Sequence, residues 1–405
     1  MQISYLLKKI LMKIIPIKKN RIVFISFGGH YSDSPKYICE EIHKLKPAAE
    51  LVWLVDEKYK ECVPTFAKAV KYNSFKSWYY YGSANIIIDN VYGEKEAILS
   101  GKDLLSRVKY NILSFLNYKK NQFVYTTWHG MPIKRMGRDQ VNSKEIYDFS
   151  CPNTTMFVND KHTYEIMDHI NFEKINMKLI GTPRNDILYK NDINTINELK
   201  MKLNLPVDKK IIMFVPTFRS ENGNFEKNVE KSGLNQLKDI DFGKLFDTLN
   251  YKFGGEWIFL CRFHYHVEKM VDWDEIRRKY GDKVLNGNKY DDIMEYMMCT
   301  DILISDISSA LCDFIITNRP VFNLFPDYEN YKNNERGLYI AVDDLPFNIN
   351  TNFKELIDSI QSFNMETYLK KINAFKDKYG YVYNSDSSKQ IAEYILKERK
   401  ILWKS

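Results

Sequence analysis

Short apolar runs alternate with helical patterns along nearly the whole chain. In the first half RIVFISF, ELVWLV, ANIIIDN, FVYTTWH, TTMFVND and MKLIG read as strands, with helices such as PKYICEEIHKL and KHTYEIMDHI between them. After GTPRNDIL comes a polar helical stretch rich in Asn and Lys, from about Tyr189 to Asp208, and the pattern then restarts at KKIIMFVP. The second half offers strands at IIMFVP, WIFLCRF, KVLN, DILISD and PVFNLF, and helices at FGKLFDTLN, YDDIMEYMM and SSALCDFIITN. Regular exchange of strands and helices is the pattern of βα units with parallel sheets. The restart predicts two α/β domains, residues 21–190 and 209–380, with a cleft between them and a further helix over 385–403. The stretch from Arg219 to Asn235 is polar and without periodicity, which predicts a loop at the mouth of that cleft.

Length agrees, since 405 residues exceed one ordinary core and suit two domains. The net charge is +7, but the 59 basic and 52 acidic residues are interspersed, which argues against a nucleic-acid binder. The excess is local. Residues 1–20 bring Ile3, Leu6, Leu7, Ile10, Leu11, Ile14 and Ile15 to one side of a helical wheel and Lys8, Lys9 and Lys13 to the other. That segment reads as an amphipathic helix lying on an anionic membrane surface, each cation contributing about 1 kcal/mol there. The alternative is a helix packed on the body of the protein. It is too short and too charged to span a bilayer, and its interrupted apolar positions do not match a cleaved leader. The six cysteines lack CxxC spacing, so neither a zinc site nor a disulfide framework is indicated, and free thiols fit a cytoplasmic protein.

Candidate chemistry sits where predicted strands end, the place where open α/β sheets bind their ligands. WHGMPIKRMG puts His129 at such an end, beside Gly130 and followed by Lys134, Arg135 and Arg138. Imidazole accepts a proton near neutral pH, so this combination suggests a hydroxyl activated beside a phosphate. GTPRND places Arg184 at another strand end, with Asn185 or Asp186 available to cap the following helix. VPTFR repeats the arrangement with Thr217 and Arg219. In RFHYH a period of two would put Arg262, His264 and His266 on one face. A two-histidine metal site needs a third ligand that nothing nearby supplies, and phosphate recognition is the more economical reading. In DILISDISSALCDF, Ser308 and Ser309 open a helix whose first amides suit an anion, though a plain serine cap has the same appearance. Asp313 lies one turn on and is placed to orient a ribose or base. FGGHYSDSP lacks dinucleotide spacing, and KSWYYYG reads as core.

The ordered set WHGMPIKRMG, GTPRNDIL, VPTFR, RFHYH, SDISSALCDF, NRPVFNLFPDYENY and RGLY resembles the CDP-glycerol glycerophosphotransferase family, the teichoic-acid primases and polymerases with their capsule-forming relatives, from about Arg21 to Gln390. The resemblance implies two Rossmann-like domains in a glycosyltransferase-B arrangement, the second holding most of the nucleotide. It implies transfer of glycerol phosphate from CDP-glycerol to a hydroxyl of a lipid-linked saccharide or polyol-phosphate acceptor, with release of CMP, at the cytoplasmic face of the membrane. His129 then corresponds to the general base. Gly130, Met131, Pro132 and Ile133 fall in the donor site, and Arg184, Pro216, Thr217, Arg262, Phe263, Ser308, Ser309 and Asp313 correspond to donor contacts. His264 is either a donor contact or the group that protonates or stabilises the leaving phosphate. No metal or other cofactor is implied. Met131 stands where threonine is usual, Phe218 where tryptophan is usual and Ile307 where an aromatic is usual, which leaves the identity of the polyol open to CDP-ribitol. A nucleotide-sugar glycosyltransferase on the same fold is a second reading, and a basic membrane or nucleic-acid adaptor a third.

Overall fold

The structure, a computed structural model, describes residues 13–90, 98–100, 119, 121–136, 139, 145–147, 153–170, 176–190, 192–217, 233–335 and 337–399. The chain divides into two compact units. Met1–His129, Met136–Asp186 and Gly380–Ser405 form the first, and Gly130–Arg135 with Ile187–Tyr379 the second. Most of the predicted amphipathic segment, with Arg138, Cys151, Phe218, Arg219 and most of the predicted loop after it, lies outside the described residues.

In the first unit the strands are β1 (Lys18–Ile25), β2 (Glu50–Val55), β3 (Lys68–Lys71), β4 (Ala84–Asp89), β5 (Ile98–Ser100), β6 (Phe123–Thr126), β7 (Glu145–Tyr147), β8 (Thr154–Val158) and β9 (Asn176–Leu179). Seven of them form a sheet in the order β3-β2-β1-β4-β6-β8-β9, and β5 pairs with β7. The large sheet is parallel throughout. Its inner strands are apolar runs because both faces are covered, while β3 and β9 are edge strands. Ile22, Phe24, Trp53, Ile86, Ile88 and Phe157 pack with Ile38 and Ile42 of the helix Asp33–Leu45. Ile391 and Ile395, from the helix Ser387–Glu398, join the same core. Strand β1 begins at Lys18, so Lys18 and Lys19 belong to the sheet rather than to the amphipathic segment.

The second unit carries β10 (Lys210–Val215), β11 (Trp257–Cys261), β12 (Val284–Asn286), β13 (Ile302–Ser305) and β14 (Val321–Asn323), a parallel sheet in the order β12-β11-β10-β13-β14. Ile212, Phe214, Phe259 and Ile304 pack against Leu245 and Leu249 of the helix Phe242–Phe253 and Leu356, Ile357 and Ile360 of Phe353–Gln361. Those helices start where an Asp or Asn side chain accepts an otherwise orphaned amide: Asp241 from Lys244, and Asn352 from Glu355, both at 3.0 Å.

Both units are therefore Rossmann-like. In each, strand order reverses about one point, between β1 and β4 in the first and between β10 and β13 in the second. The crevice outside the carboxyl ends at such a switch point is where this class of sheet binds ligands. Candidate residues are thus expected just after β1, β4 and β6, and just after β10, β11 and β13.

Candidate functional site

In the first unit His129 follows β6 in a backbone that few sequences tolerate. Trp128 has φ 53 and Gly130 φ 121, so a left-handed tryptophan precedes the histidine. Trp128 is buried and its ring lies 3.9 Å from the imidazole, centroid to centroid. Phe27 meets the imidazole in an edge geometry at 4.9 Å. The ring Nδ1 is 3.0 Å from the carbonyl oxygen of Asn90, directly after β4. A carbonyl only accepts, so Nδ1 carries the proton and the neutral ring presents Nε2 as an acceptor. Burial pushes the imidazole pKa down to about 4, against the raising effects of the Asn90 bond and of Asp33; Arg184 adds to the lowering. The side chain is thus a neutral base across the physiological range.

The surrounding turn is built from two further strand ends. After β1, Phe27–Gly29 is a tight helical turn in which Gly29 has φ 72, and a Cβ there would stand 2.7 Å from the Asp56 nitrogen, so glycine is required. Asp33, at φ 62, starts the next helix. After β9, Arg184 donates from Nη1 to Asp33 Oδ2 at 2.8 Å and from Nη2 to the His129 carbonyl at 2.9 Å. Asp186 does not cap the element that follows it. It accepts from Ser387 N at 3.0 Å, Ser388 N at 2.8 Å and Ser388 Oγ at 2.5 Å, and so caps the helix Ser387–Glu398 from 201 residues away. Burial raises the Asp186 pKa, and those donors pull it back.

Gly130–Arg135 belongs to the second unit. Met131, Pro132 and Ile133 are buried there. The segment runs beside the RGLY motif: Ile133 O accepts from Tyr339 N at 2.8 Å, Arg135 N donates to Gly337 O at 3.1 Å, and Lys134 bridges Leu338. Two motifs far apart in sequence are thus one local structure.

At the second switch point Asp306, after β13, gathers the neighbouring backbone. Its Oδ1 accepts from Thr217 N at 2.9 Å, Thr217 Oγ at 2.5 Å and Ile307 N at 2.6 Å. Asn323 Nδ2, from the end of β14, donates to the Asp306 carbonyl. Ser308 Oγ accepts from Ala310 N at 3.3 Å, the capping role, whereas Ser309 makes no side-chain cap bond. Asp313 is buried in the short helix they begin, and Pro216 is buried beside Thr217.

Arg262 spends much of its guanidinium on its own scaffold. Nη1 donates to Gly287 O at 2.7 Å and Tyr290 O at 2.6 Å, and Nη2 to Asp291 O at 2.6 Å. Burial lowers its pKa. Phe263 is core, held through its backbone by Asn288 at 2.9 and 2.6 Å. His264 is exposed. The expected two-residue alternation of Arg262, His264 and His266 does not form: β11 ends at Cys261, before all three, and Tyr265–Glu268 is helical, with Val267 and Glu268 donating back to the His264 carbonyl. Among the described residues no group of three or more His, Cys, Asp or Glu is placed to hold a metal ion, and no helix is long and apolar enough to cross a membrane.

Sequence reasoning missed Phe27, Asp33, Asn90, Asp306 and Asn288. A usable signal existed for Asn90 and Asp306, each a polar residue closing an apolar run at the end of a strand next to a switch point.

The family described as CDP-Glycerol:Poly(glycerophosphate) glycerophosphotransferase matches residues 7–397. The chain is 31% identical to the teichoic acid poly(glycerol phosphate) polymerase of Staphylococcus epidermidis across 95% of its own length, but spans only about half of that relative, 51%. It is 26% identical to the teichoic acid glycerol-phosphate transferase of Staphylococcus aureus, covering 94% of this chain and 93% of the other. A solved structure of the wall teichoic acid polymerase TagF aligns with a TM-score of 0.75 at 29% identity, covering 98% of this chain and 93% of that one.

Proposed function

The chain belongs to the CDP-glycerol:poly(glycerophosphate) glycerophosphotransferase family, and from that premise we propose that it transfers glycerol phosphate from CDP-glycerol to a hydroxyl of a teichoic-acid-type acceptor. The observation that carries the mechanism is the fixed tautomer of His129, with Nδ1 on the Asn90 carbonyl and Nε2 open as a base. Nε2 takes the acceptor's hydroxyl proton as its oxygen bonds to the phosphorus of the glycerol phosphate group. The bond from that phosphorus to the bridging oxygen breaks, and CMP leaves with the electron pair. Little covalent chemistry is asked of the protein beyond this, since phosphoryl transfer rests on positioning and charge stabilisation.

The first unit supplies the base. The second supplies the donor contacts: Gly130–Ile133, Pro216, Thr217, Arg219, Phe263, Ser308, Ser309 and Asp313, with Arg262 shaping the loop after β12 and His264 stabilising the leaving phosphate. The acceptor is lipid-linked, and the basic amphipathic segment before β1 holds the protein to the cytoplasmic face of the membrane. One solved form of TagF, a histidine-to-asparagine variant, was soaked with CDPG, in line with a nucleotide donor for the family. The test offers the purified protein CDP-glycerol, CDP-ribitol and UDP-sugars with a lipid-linked acceptor, and identifies the nucleotide released. CMP from CDP-glycerol is expected. CMP from CDP-ribitol alone would move the donor to ribitol, and a nucleoside diphosphate from a UDP-sugar would replace the reading with a glycosyltransferase.

A further inference from the structure

We propose that the turn after β1 is the acceptor subsite, holding the terminal glycerol phosphate unit of the acceptor beside His129; this deepens the proposed transfer and rests on it. The first observation is Phe27. Its ring is 38% exposed although it stands at a switch point, and it meets the His129 imidazole with centroids 4.9 Å apart. An apolar ring left open beside a base gives the carbon chain of a polyol a surface to lie on while its hydroxyl faces the imidazole.

The second observation is His30, half-buried at the end of the same turn. A Cβ on Gly28 would stand 3.0 Å from His30 Cδ2 and 3.2 Å from Nε2, so the edge of that imidazole lies over the turn, next to Phe27 in the chain. Its ring packs on Tyr59 with centroids 3.9 Å apart, and the exposed Lys58 brings Nζ within 4.2 Å of the centroid of the same Tyr59 ring. An imidazole N–H and an ammonium are the donors a phosphate takes.

The order of these groups matches the ligand. A glycerol phosphate unit runs from hydroxyl through three carbons to phosphate, and the turn offers His129, then Phe27, then His30 with Lys58. The scaffold beneath is fixed from β2: Asp56 N donates to Gly29 O at 2.9 Å and Trp53 Nε1 to His30 O at 3.0 Å. With Gly28 at φ 57 and Gly29 at φ 72, the turn takes a shape that side chains resist, and it holds that shape before a substrate arrives.

The test uses two synthetic short-chain lipid acceptors, one ending in a glycerol phosphate unit and one in which a neutral methylphosphonate replaces that phosphate. CMP release gives kcat and acceptor KM for wild type, His30→Gln, Lys58→Ala, Lys58→Glu, Gly28→Ala and Phe27→Ala, alongside the calorimetric Kd of CDP-glycerol and thermal unfolding. His30→Gln should raise KM for the charged acceptor about tenfold, the scale of one lost hydrogen bond to a charged group, and leave the neutral acceptor and CDP-glycerol binding unchanged. Gly28→Ala should reproduce that loss by displacing the ring. Lys58→Ala should cost about two- to threefold, as an exposed charge does, and Lys58→Glu more. Phe27→Ala also bares the base, so kcat should fall as KM for both acceptors rises.

Equal losses for the two acceptors in His30→Gln, or weakened CDP-glycerol binding there, would overturn the subsite. If the variants of the turn fail to fold, Lys58→Ala and Lys58→Glu on the exposed side chain carry the comparison. The two levels of inference fail differently. No CMP from any CDP-polyol with wild type fells the transfer and the subsite together, whereas active wild type whose preference for the charged acceptor survives His30→Gln and Lys58→Glu fells the subsite alone.

Discussion

In the first unit Arg184, paired with Asp33, donates to the His129 peptide carbonyl while the Asn90 carbonyl leaves the imidazole with an acceptor nitrogen, whereas in the second Asp306 and Arg262 direct their charge to backbone N–H and C=O groups. The same kind of switch point thus carries two kinds of construction. One holds a reactive group, and the other holds a shape. The proposed phosphoryl transfer needs both, because a base must face the hydroxyl while the donor is held by a surface that does not rearrange. Substitutions at the first switch point that reach the base should therefore appear in kcat, and those at the second in stability and donor affinity.

The largest break in this comparison is His129→Ala. Loss of a general base costs about 10²–10⁴-fold in rate. Turnover of CDP-glycerol should fall by that factor while calorimetric binding of CDP-glycerol stays intact. Equal losses in binding would place His129 among the donor contacts and erase the contrast between the units.

Next comes Asp306→Ala. It removes the acceptor of two backbone amides and one hydroxyl, all buried between β10 and β13. Orphaned buried donors of this kind cost about 1–3 kcal/mol each, so a loss of about 3 kcal/mol in urea unfolding is expected after partial relaxation. Donor KM should rise with it. An unchanged unfolding midpoint would mean that water replaces the carboxylate and that the second switch point is not held as described.

A smaller effect is expected from Asp186→Ala, about 1–2 kcal/mol, the usual range for a lost cap. Its donors belong to the helix Ser387–Glu398, whose Ile391, Ala392, Ile395 and Leu396 complete the first core. Gly181 shows how closely that helix approaches, since a Cβ there would collide with Ser387 Oγ. Hydrogen exchange should show the loss concentrated in residues 387–398. A uniform loss across both units would contradict the cap's local role.

The strands of both sheets were legible because burial on both faces turns each into an apolar run, as in RIVFI or DILIS. Strand β3, KAVK, escaped notice for the complementary reason: it is a short edge strand in which only Val70 is buried. His129 and Arg184 could be placed at strand ends from local pattern alone. Their partners could not, because contact depends on strand order. Asn90 lies 39 residues from His129, and Asp33 lies 151 from Arg184. The turn FGGHYSDSP lacks dinucleotide spacing and so gave no sign of a site, yet it supplies both Phe27 and Asp33. Arg262 shows the converse limit, a correctly located cation whose donors turn out to face the loop after β12.

The subtlest test concerns protons. The His129 pKa falls from 6.5 to about 4 mainly through burial, so between those values the unfolded chain binds a proton that the folded chain does not. Stability must then rise with pH through that window, and decline as pH falls from about 6.5 to about 4. Asp186 has the opposite sign: burial raises its pKa against the Ser387 and Ser388 bonds, so the folded chain holds this proton to higher pH than the unfolded chain does and stability is lost as pH rises through that interval. Unfolding free energies across pH 4–7 should thus be less steep in His129→Gln, which has no proton to lose, and steeper in Asp186→Asn. Activity gives an independent reading. With Nε2 unprotonated down to about pH 4, the acid limb of kcat/KM should fall near 4 rather than near 6.5. A limb near 6.5 would show that the ring is solvated, and that the first unit holds it less tightly than the Asn90 carbonyl and the Trp128 and Phe27 rings require.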